Sequence, residues 1–127
     1  MSMTISNKKL GSDFERDVAK KLFDKGWWVH NFAQGPDGQP ADLIAVKDDY
    51  AMLIDCKVIS SGDYFDLSRI EPNQLSVAKM YEERTWFKYV FVIGHQDHLY
   101  IALADSAFTN WRAMEFDEFL ENLEKRI

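Results

Sequence analysis

The sequence is poor in the features that mark secreted or membrane-bound proteins. It has one cysteine among 127 residues, so no internal disulfide can form, and this favours a reducing compartment. No apolar run approaches the roughly 20 residues that a membrane-spanning helix needs. The first residues, Met1–Ile5, do not have the pattern of a signal peptide. We therefore expect a cytoplasmic protein with no membrane partner.

The sequence also lacks an excess of basic residues. Its 15 Lys and Arg are outnumbered by 21 Asp and Glu, which gives a formal net charge of −6. Because nucleic-acid-binding proteins usually carry a basic surface, this charge lowers the expected strength of non-specific DNA binding. It does not exclude DNA as a substrate, since a metal ion bound by some of the acids would offset part of the negative charge.

The apolar residues that are present follow the pattern of one α/β domain over residues 1–127, with residues 1–10 as a flexible arm. Their periodicity predicts the order αβββαββα and a mixed sheet flanked by helices. The predicted helices run from Ser12 to about Lys25, from Glu71 to about Arg84 and from about Glu115 onward; the predicted strands cover residues 27–32, 41–46, 51–59, 89–93 and 99–103.

Two acids should face each other on the central hairpin. If its turn centres on Asp48-Asp49, positions that sum to 97 lie opposite each other, which pairs Asp42 with Asp55. Facing residues have Cβ atoms roughly 4.5–5.5 Å apart, and two carboxylates at that distance repel each other unless a cation binds both. Lys57 projects from the same face. The pattern predicts a site for Mg²⁺ or Mn²⁺, with the backbone carbonyl of Cys56 as a further ligand.

A third acid, Glu15, lies within the apolar stripe of the first predicted helix. Two interpretations are open on the residues alone. Ser12 and Glu15 fit a capping box, in which the glutamate bonds to the first amides of the helix. Alternatively, Glu15 belongs to the metal site. Gln74, in the first turn of the second predicted helix, has a similar choice between a bond to the backbone and a place in the site.

These residues occur in an order that resembles the PD-(D/E)XK metal-dependent nucleases, most closely the RecU-type Holliday-junction resolvases. The motifs that carry the resemblance are Gly11-x-x-Phe14-Glu15, Asp42, Asp55-Cys56-Lys57, and Phe65-x-Leu67-Ser68 followed by Gln74. The resemblance implies a restriction-endonuclease-like αβββαβ core. It also implies that Glu15, Asp42 and Asp55 bind the metal, and that Lys57 assists the attack of an activated water on DNA.

The resemblance implies a homodimeric endonuclease that cuts branched DNA in recombination or repair. The candidate phosphate contacts are Lys8, Lys9, Lys20, Lys21 and Arg69. Two alternatives stay open at this point. One is a restriction-, repair- or phage-type endonuclease that acts on duplex or flapped DNA. The other is a catalytically inactive DNA-binding or interaction module on the same fold.

Overall fold

The computed structural model describes residues 7–32, 39–59, 70, 72–104 and 111–125. It confirms an α/β fold with a mixed sheet and three helices. In chain order the elements are α1 (Asn7–Asp24), β1 (Trp28–Asn31), β2 (Leu43–Lys47), β3 (Tyr50–Ile59), α2 (Pro72–Arg84), β4 (Lys88–His95), β5 (His98–Ala104), β6 (Trp111–Glu115) and α3 (Phe116–Glu124). None of the helices described is long and apolar enough to cross a membrane.

The strands form one six-stranded sheet in the order β1-β2-β3-β4-β5-β6. All neighbours are antiparallel except β3 and β4, which run parallel. A parallel pair needs a long crossover connection, and α2 belongs to the connection between these two strands. The sheet is therefore mixed, with antiparallel strands on both sides of one central parallel pair.

Two apolar clusters cover the two faces of the sheet. The first lies under α1 and α3 and includes Val18, Leu22, Met52, Ile54, Val90, Val92, Ile101, Phe116 and Leu120. The second lies under α2 and includes Leu53, Ile70, Ala78, Tyr89, Phe91 and Ile93. The predicted stripe of α3 is confirmed, because Phe116, Phe119, Leu120 and Leu123 are all buried. Alternate residues of β3 therefore pack into different clusters, Met52 and Ile54 into the first and Leu53 into the second.

The first helix begins earlier than the sequence predicts. It starts at Asn7, so residues 7–10 are helical and the prediction of a flexible arm is wrong for them; residues 1–6 lie outside the described part. The prediction fails because Gly11 stands inside the helix, where glycine is unfavourable by only about 1 kcal/mol relative to alanine. Ser12 is consequently an interior helical residue, and the capping box with Glu15 is wrong.

The strand β6 is absent from the sequence prediction. It pairs antiparallel with β5, for example Leu103 with Arg112 and Tyr100 with Glu115. The exposed residues Arg112 and Ala113 interrupt the apolar pattern that would mark a strand. Its formation depends on pairing with β5, so a local reading of the sequence does not detect it.

Candidate active site

The hairpin of β2 and β3 has the predicted register. Leu43 pairs with Ile54 and Lys47 with Tyr50, so paired positions sum to 97. The turn residue Asp48 has a φ of 54°, a conformation that aspartate tolerates better than most residues. Asp42 directly precedes β2 and lies outside the paired positions; its N–H donates to the carbonyl of Ile54 at 3.0 Å, the residue with which Leu43 already pairs. The predicted pairing of Asp42 with Asp55 is therefore off by one residue.

Asp42 is held in place by its backbone and its side chain. Its carbonyl accepts a hydrogen bond from the N–H of Phe32 at 3.0 Å, beyond the end of β1. Its carboxylate Oδ2 accepts a hydrogen bond from the N–H of Cys56 at 2.8 Å, across the hairpin. The carboxylate is therefore directed toward β3.

Asp55 is the buried acid of the site, with 4% of its surface exposed. Its Oδ1 accepts a hydrogen bond from Gln74 Nε2 at 3.1 Å. Its Oδ2 lies 3.0 Å from Lys57 Nζ, although no hydrogen bond of good geometry reaches that oxygen among the described residues. Burial first, then the negative charge of Asp42, raises the pKa of Asp55 to about 6, against the opposing charge of Lys57. This is an acid whose negative charge is only partly compensated.

Glu15 completes a cluster of three carboxylates. It lies half-buried on α1, and its pKa is raised to about 7 by burial, by the charge of Asp42 and a hydrogen bond with it, and by the charge of Asp55. Near neutral pH, Glu15 therefore retains a proton for part of the time. The cluster joins α1, the start of β2 and the middle of β3, which are distant in the sequence.

The position of α1 depends on a close contact between Phe14 and Gly94 of β4. A Cβ atom on Gly94 would lie 2.5 Å from Phe14 Cε1, far inside van der Waals contact. Only glycine lets the aromatic ring approach the strand this closely. Because Glu15 follows Phe14, the same contact sets how near its carboxylate comes to the sheet.

The donor set fits a hard divalent cation. Within the described ranges, no group of three or more His, Cys, Asp or Glu residues is arranged to hold a metal ion through side chains alone. Mg²⁺ needs fewer protein ligands than that, because it usually binds one or two carboxylates and keeps waters and substrate phosphate oxygens. The raised pKa values of Asp55 and Glu15 and the buried Oδ2 of Asp55 show negative charge that such a cation would neutralise.

The other predicted site residues divide into two groups. Cys56 packs against the first apolar cluster, on the apolar side as predicted, and burial, followed by the charges of Asp42, Asp55 and Glu15, raises the pKa of its thiol. Lys20 and Lys21 lie beyond Glu15 on α1 and pair with surface acids, Lys20 with Asp24 at 2.8 Å and Lys21 with Asp117 at 3.7 Å. Three parts of the chain lie outside the described residues: the side chains of Lys8 and Lys9, residues 33–38, and residues 60–69, which include Arg69.

The family comparison agrees with this geometry. The family model described as archaeal Holliday junction resolvase (Hjc) matches residues 6–125. The chain belongs to the Hjc family. It is a resolvase of the PD-(D/E)XK type and therefore a Holliday-junction-resolving nuclease. The matched model is the archaeal one, so the kinship with the RecU type specifically stays a prediction.

A solved structure shows the same fold. The chain is similar to the Holliday junction resolvase Hjc of Archaeoglobus fulgidus, with 12% identity, coverage of 85% of each chain and a TM-score of 0.58. No curated protein matches the sequence. At this identity the likeness supports the architecture of the Hjc fold, and the roles of individual residues rest on the geometry described above.

Proposed function

We propose that Glu15, Asp42, Asp55 and Lys57 are the active site with which this nuclease hydrolyses phosphodiester bonds of branched DNA. The observation that carries the proposal is the convergence of three acids and one amine from α1, β2 and β3. Asp55 and Lys57 are in contact at 3.0 Å, and the charges of Asp42 and Asp55 both act on Glu15. Resolvases of this family are in general divalent-metal dependent, and we propose Mg²⁺ or Mn²⁺ as the ion.

Each residue has a distinct part in this proposal. Asp42 and Asp55 would hold the ion, and the carbonyl of Cys56 is a candidate further ligand. When bound, the ion lowers the pKa of a water and neutralises charge on the phosphate. Lys57, held beside Asp55, orients the attacking water and stabilises negative charge that develops on the phosphate. Gln74 fixes the carboxylate of Asp55 through its 3.1 Å hydrogen bond.

Glu15 has a proton to lose before it can bind a cation. With a pKa of about 7, it is partly protonated at neutral pH, and its hydrogen bond with Asp42 joins the two carboxyl groups. Ionisation of Glu15 leaves three negative charges together. Glu15 thus contributes its full charge above about pH 7, which predicts stronger metal binding in mildly alkaline solution.

The proposed assembly is a homodimer. A four-way junction has two equivalent strands to be cut, and a dimer with two-fold symmetry presents two copies of the site. The free thiol of Cys56 and a DNA substrate support the predicted location in the cytoplasm. Lys8, Lys9, Lys20, Lys21 and Arg69 remain the proposed phosphate contacts.

The direct test is cleavage of a synthetic four-way junction, compared with a linear duplex of the same sequence, in the presence of Mg²⁺. We expect the wild type to cut the junction in preference to the duplex, and Asp55→Ala and Lys57→Ala each to abolish cutting. Equal cutting of duplex would favour the restriction- or repair-type alternative. Binding of the junction without any cutting would favour the inactive module.

A further inference from the structure

Asp42 lies just outside the regular part of the sheet. β1 ends at Asn31 and β2 begins at Leu43, so the position of Asp42 depends on local bonds of the segment 39–42. Its own backbone continues the ladder through Phe32 and Ile54, at 3.0 Å each. Asp42, a proposed metal ligand, is the residue of this segment that reaches the site. The path of the segment therefore sets the position of the Asp42 carboxylate.

Tyr89 ties the segment before Asp42 to the core. Its side chain is fully buried in the second apolar cluster, where its ring meets that of Phe91 with centroids 5.9 Å apart. Its hydroxyl donates a hydrogen bond to the carbonyl of Pro40 at 2.9 Å, between residues 49 positions apart. A buried hydroxyl without a partner is unfavourable, and phenylalanine would fill nearly the same volume. The bond to Pro40 is therefore what the hydroxyl contributes.

The surroundings keep this hydroxyl a donor. Burial, followed by the negative charges of Asp55 and Asp42, raises the pKa of Tyr89 well above its usual range. Tyr89 pairs with Leu53, and Phe91 pairs with Asp55, so the tyrosine lies on the same face of the sheet as Asp55, two positions along the neighbouring strand. The hydroxyl therefore keeps its proton, and can donate to the carbonyl of Pro40, in neutral and mildly alkaline solution.

We propose that Tyr89 is a positioning residue of the nuclease site, an inference that rests on the proposed function. Its bond to the carbonyl of Pro40 fixes the peptide between Pro40 and Ala41, one residue before Asp42. The carboxylate of Asp42 is thereby kept beside Asp55. Tyr89 acts through this segment and does not touch the substrate. Removal of the hydroxyl leaves the core filled and loosens the segment, so the affinity of the site for a divalent ion falls.

The test compares Tyr89→Phe with Tyr81→Phe in the full chain. Tyr81 is half-buried against the same apolar cluster, and the acid whose charge acts on its hydroxyl is Glu82, which is not part of the proposed site, so the control makes the same chemical change elsewhere. Mn²⁺ binding is measured by calorimetry without DNA, beside thermal unfolding and amide exchange at Ala41 and Asp42. We expect Tyr89→Phe to bind Mn²⁺ about fivefold more weakly and to exchange faster at both amides, as the loss of one hydrogen bond predicts. Tyr81→Phe should change neither.

The outcomes separate this proposal from the proposed function. Equal Mn²⁺ affinity in the wild type and in Tyr89→Phe would overturn the role of Tyr89, as would a wild type that binds no Mn²⁺. A wild type that binds Mn²⁺ but cuts no DNA would overturn the nuclease and leave the comparison of affinities decisive for Tyr89. The hydrogen bond from Tyr89 to Pro40 can also be tested in the wild type. NMR should detect a slowly exchanging hydroxyl proton of Tyr89, and the absence of this proton signal would contradict the bond.

Discussion

The two halves of the central strand β3 differ in what they contribute. Its first half, Ala51–Ile54, is buried and apolar, with Met52 and Ile54 in the first cluster and Leu53 in the second. Its second half carries Asp55 and Lys57, an acid with a raised pKa and its ion-pair partner. The first half of the strand thus stabilises the fold through its apolar side chains, whereas the second half holds a buried carboxylate whose charge is unfavourable. Substitutions in the first half should therefore lower stability more than activity, and substitutions of Asp55 or Lys57 should lower activity more than stability.

The largest expected effect is that of Asp55→Asn on activity. The amide can still bond Gln74 but cannot bind a cation as a carboxylate does, so junction cleavage should fall by about 10³-fold. The metal-free protein should become more stable above pH 6, because the buried negative charge is gone. Cleavage rates and thermal unfolding measure the two effects. Asp49→Asn, in the exposed hairpin turn, is the matched control and should change neither.

Met52→Ala, in the first half of the strand, should show the reverse pattern. Met52 is fully buried in the first apolar cluster, and truncation of such a side chain lowers the free energy of unfolding by about 2–5 kcal/mol. Denaturant titration measures the loss. Met80→Ala is the control, since that methionine is 48% exposed and should lose little stability.

Activity completes the Met52 experiment. Well below its unfolding temperature, Met52→Ala should cut junctions within a few-fold of the wild-type rate, because Met52 lies in the first apolar cluster and carries no charge or ligand atom of the site. A loss of cleavage as large as that of Asp55→Asn would show that the two halves of β3 are not separable.

Gly94→Ala tests the same comparison of stability with activity at a third position, because it changes the contact between Phe14 and Gly94 that positions Glu15. The added Cβ would overlap the ring of Phe14, and overpacking of this kind lowers stability by about 1–3 kcal/mol. The displaced helix should also weaken Mn²⁺ binding. Gly11→Ala on α1 is the control, because nothing lies within 4 Å of the new Cβ and alanine favours a helix. Weaker Mn²⁺ binding in Gly11→Ala, or unchanged binding in Gly94→Ala, would contradict this account.

The smallest expected effect is the pH dependence of the metal-free protein. The folded-state pKa values of Glu15 and Asp55, about 7 and about 6, lie above the ordinary values, so the folded protein holds more protons than the unfolded chain. Stability is therefore fully present below about pH 4 and falls as the pH rises through 6 and 7. For the half-exposed Glu15, solvent screening reduces the change to about 1 kcal/mol.

Thermal unfolding at several pH values measures this change. Glu15→Gln should remove part of the fall in stability, and Mn²⁺ should reverse it, since the ion binds the ionised carboxylates. Stability that rises between pH 5 and pH 8 without metal would contradict the raised pKa values.

The site was largely predictable from the sequence because it depends on a short hairpin. The polar turn Asp48-Asp49 between two apolar runs sets the register up to the pair of Leu43 with Ile54. Asp42 bonds to Ile54 rather than pairing with Asp55 as predicted, yet its charge still acts on Asp55. The place of Glu15 could not be derived this way, because it depends on how α1 packs against β4. The bond from Tyr89 to Pro40 was not predictable either, since a tyrosine in a central strand has the pattern of an ordinary core residue.

The most direct test of the central claim is a crystal structure of the protein soaked with Mn²⁺, with the ion located by its anomalous scattering. We expect a peak about 2 Å from carboxylate oxygens of both Asp42 and Asp55, with Lys57 beside it. A fully soaked crystal with no peak between these two acids, or with Asp42 and Asp55 directed to opposite faces of the sheet, would contradict it.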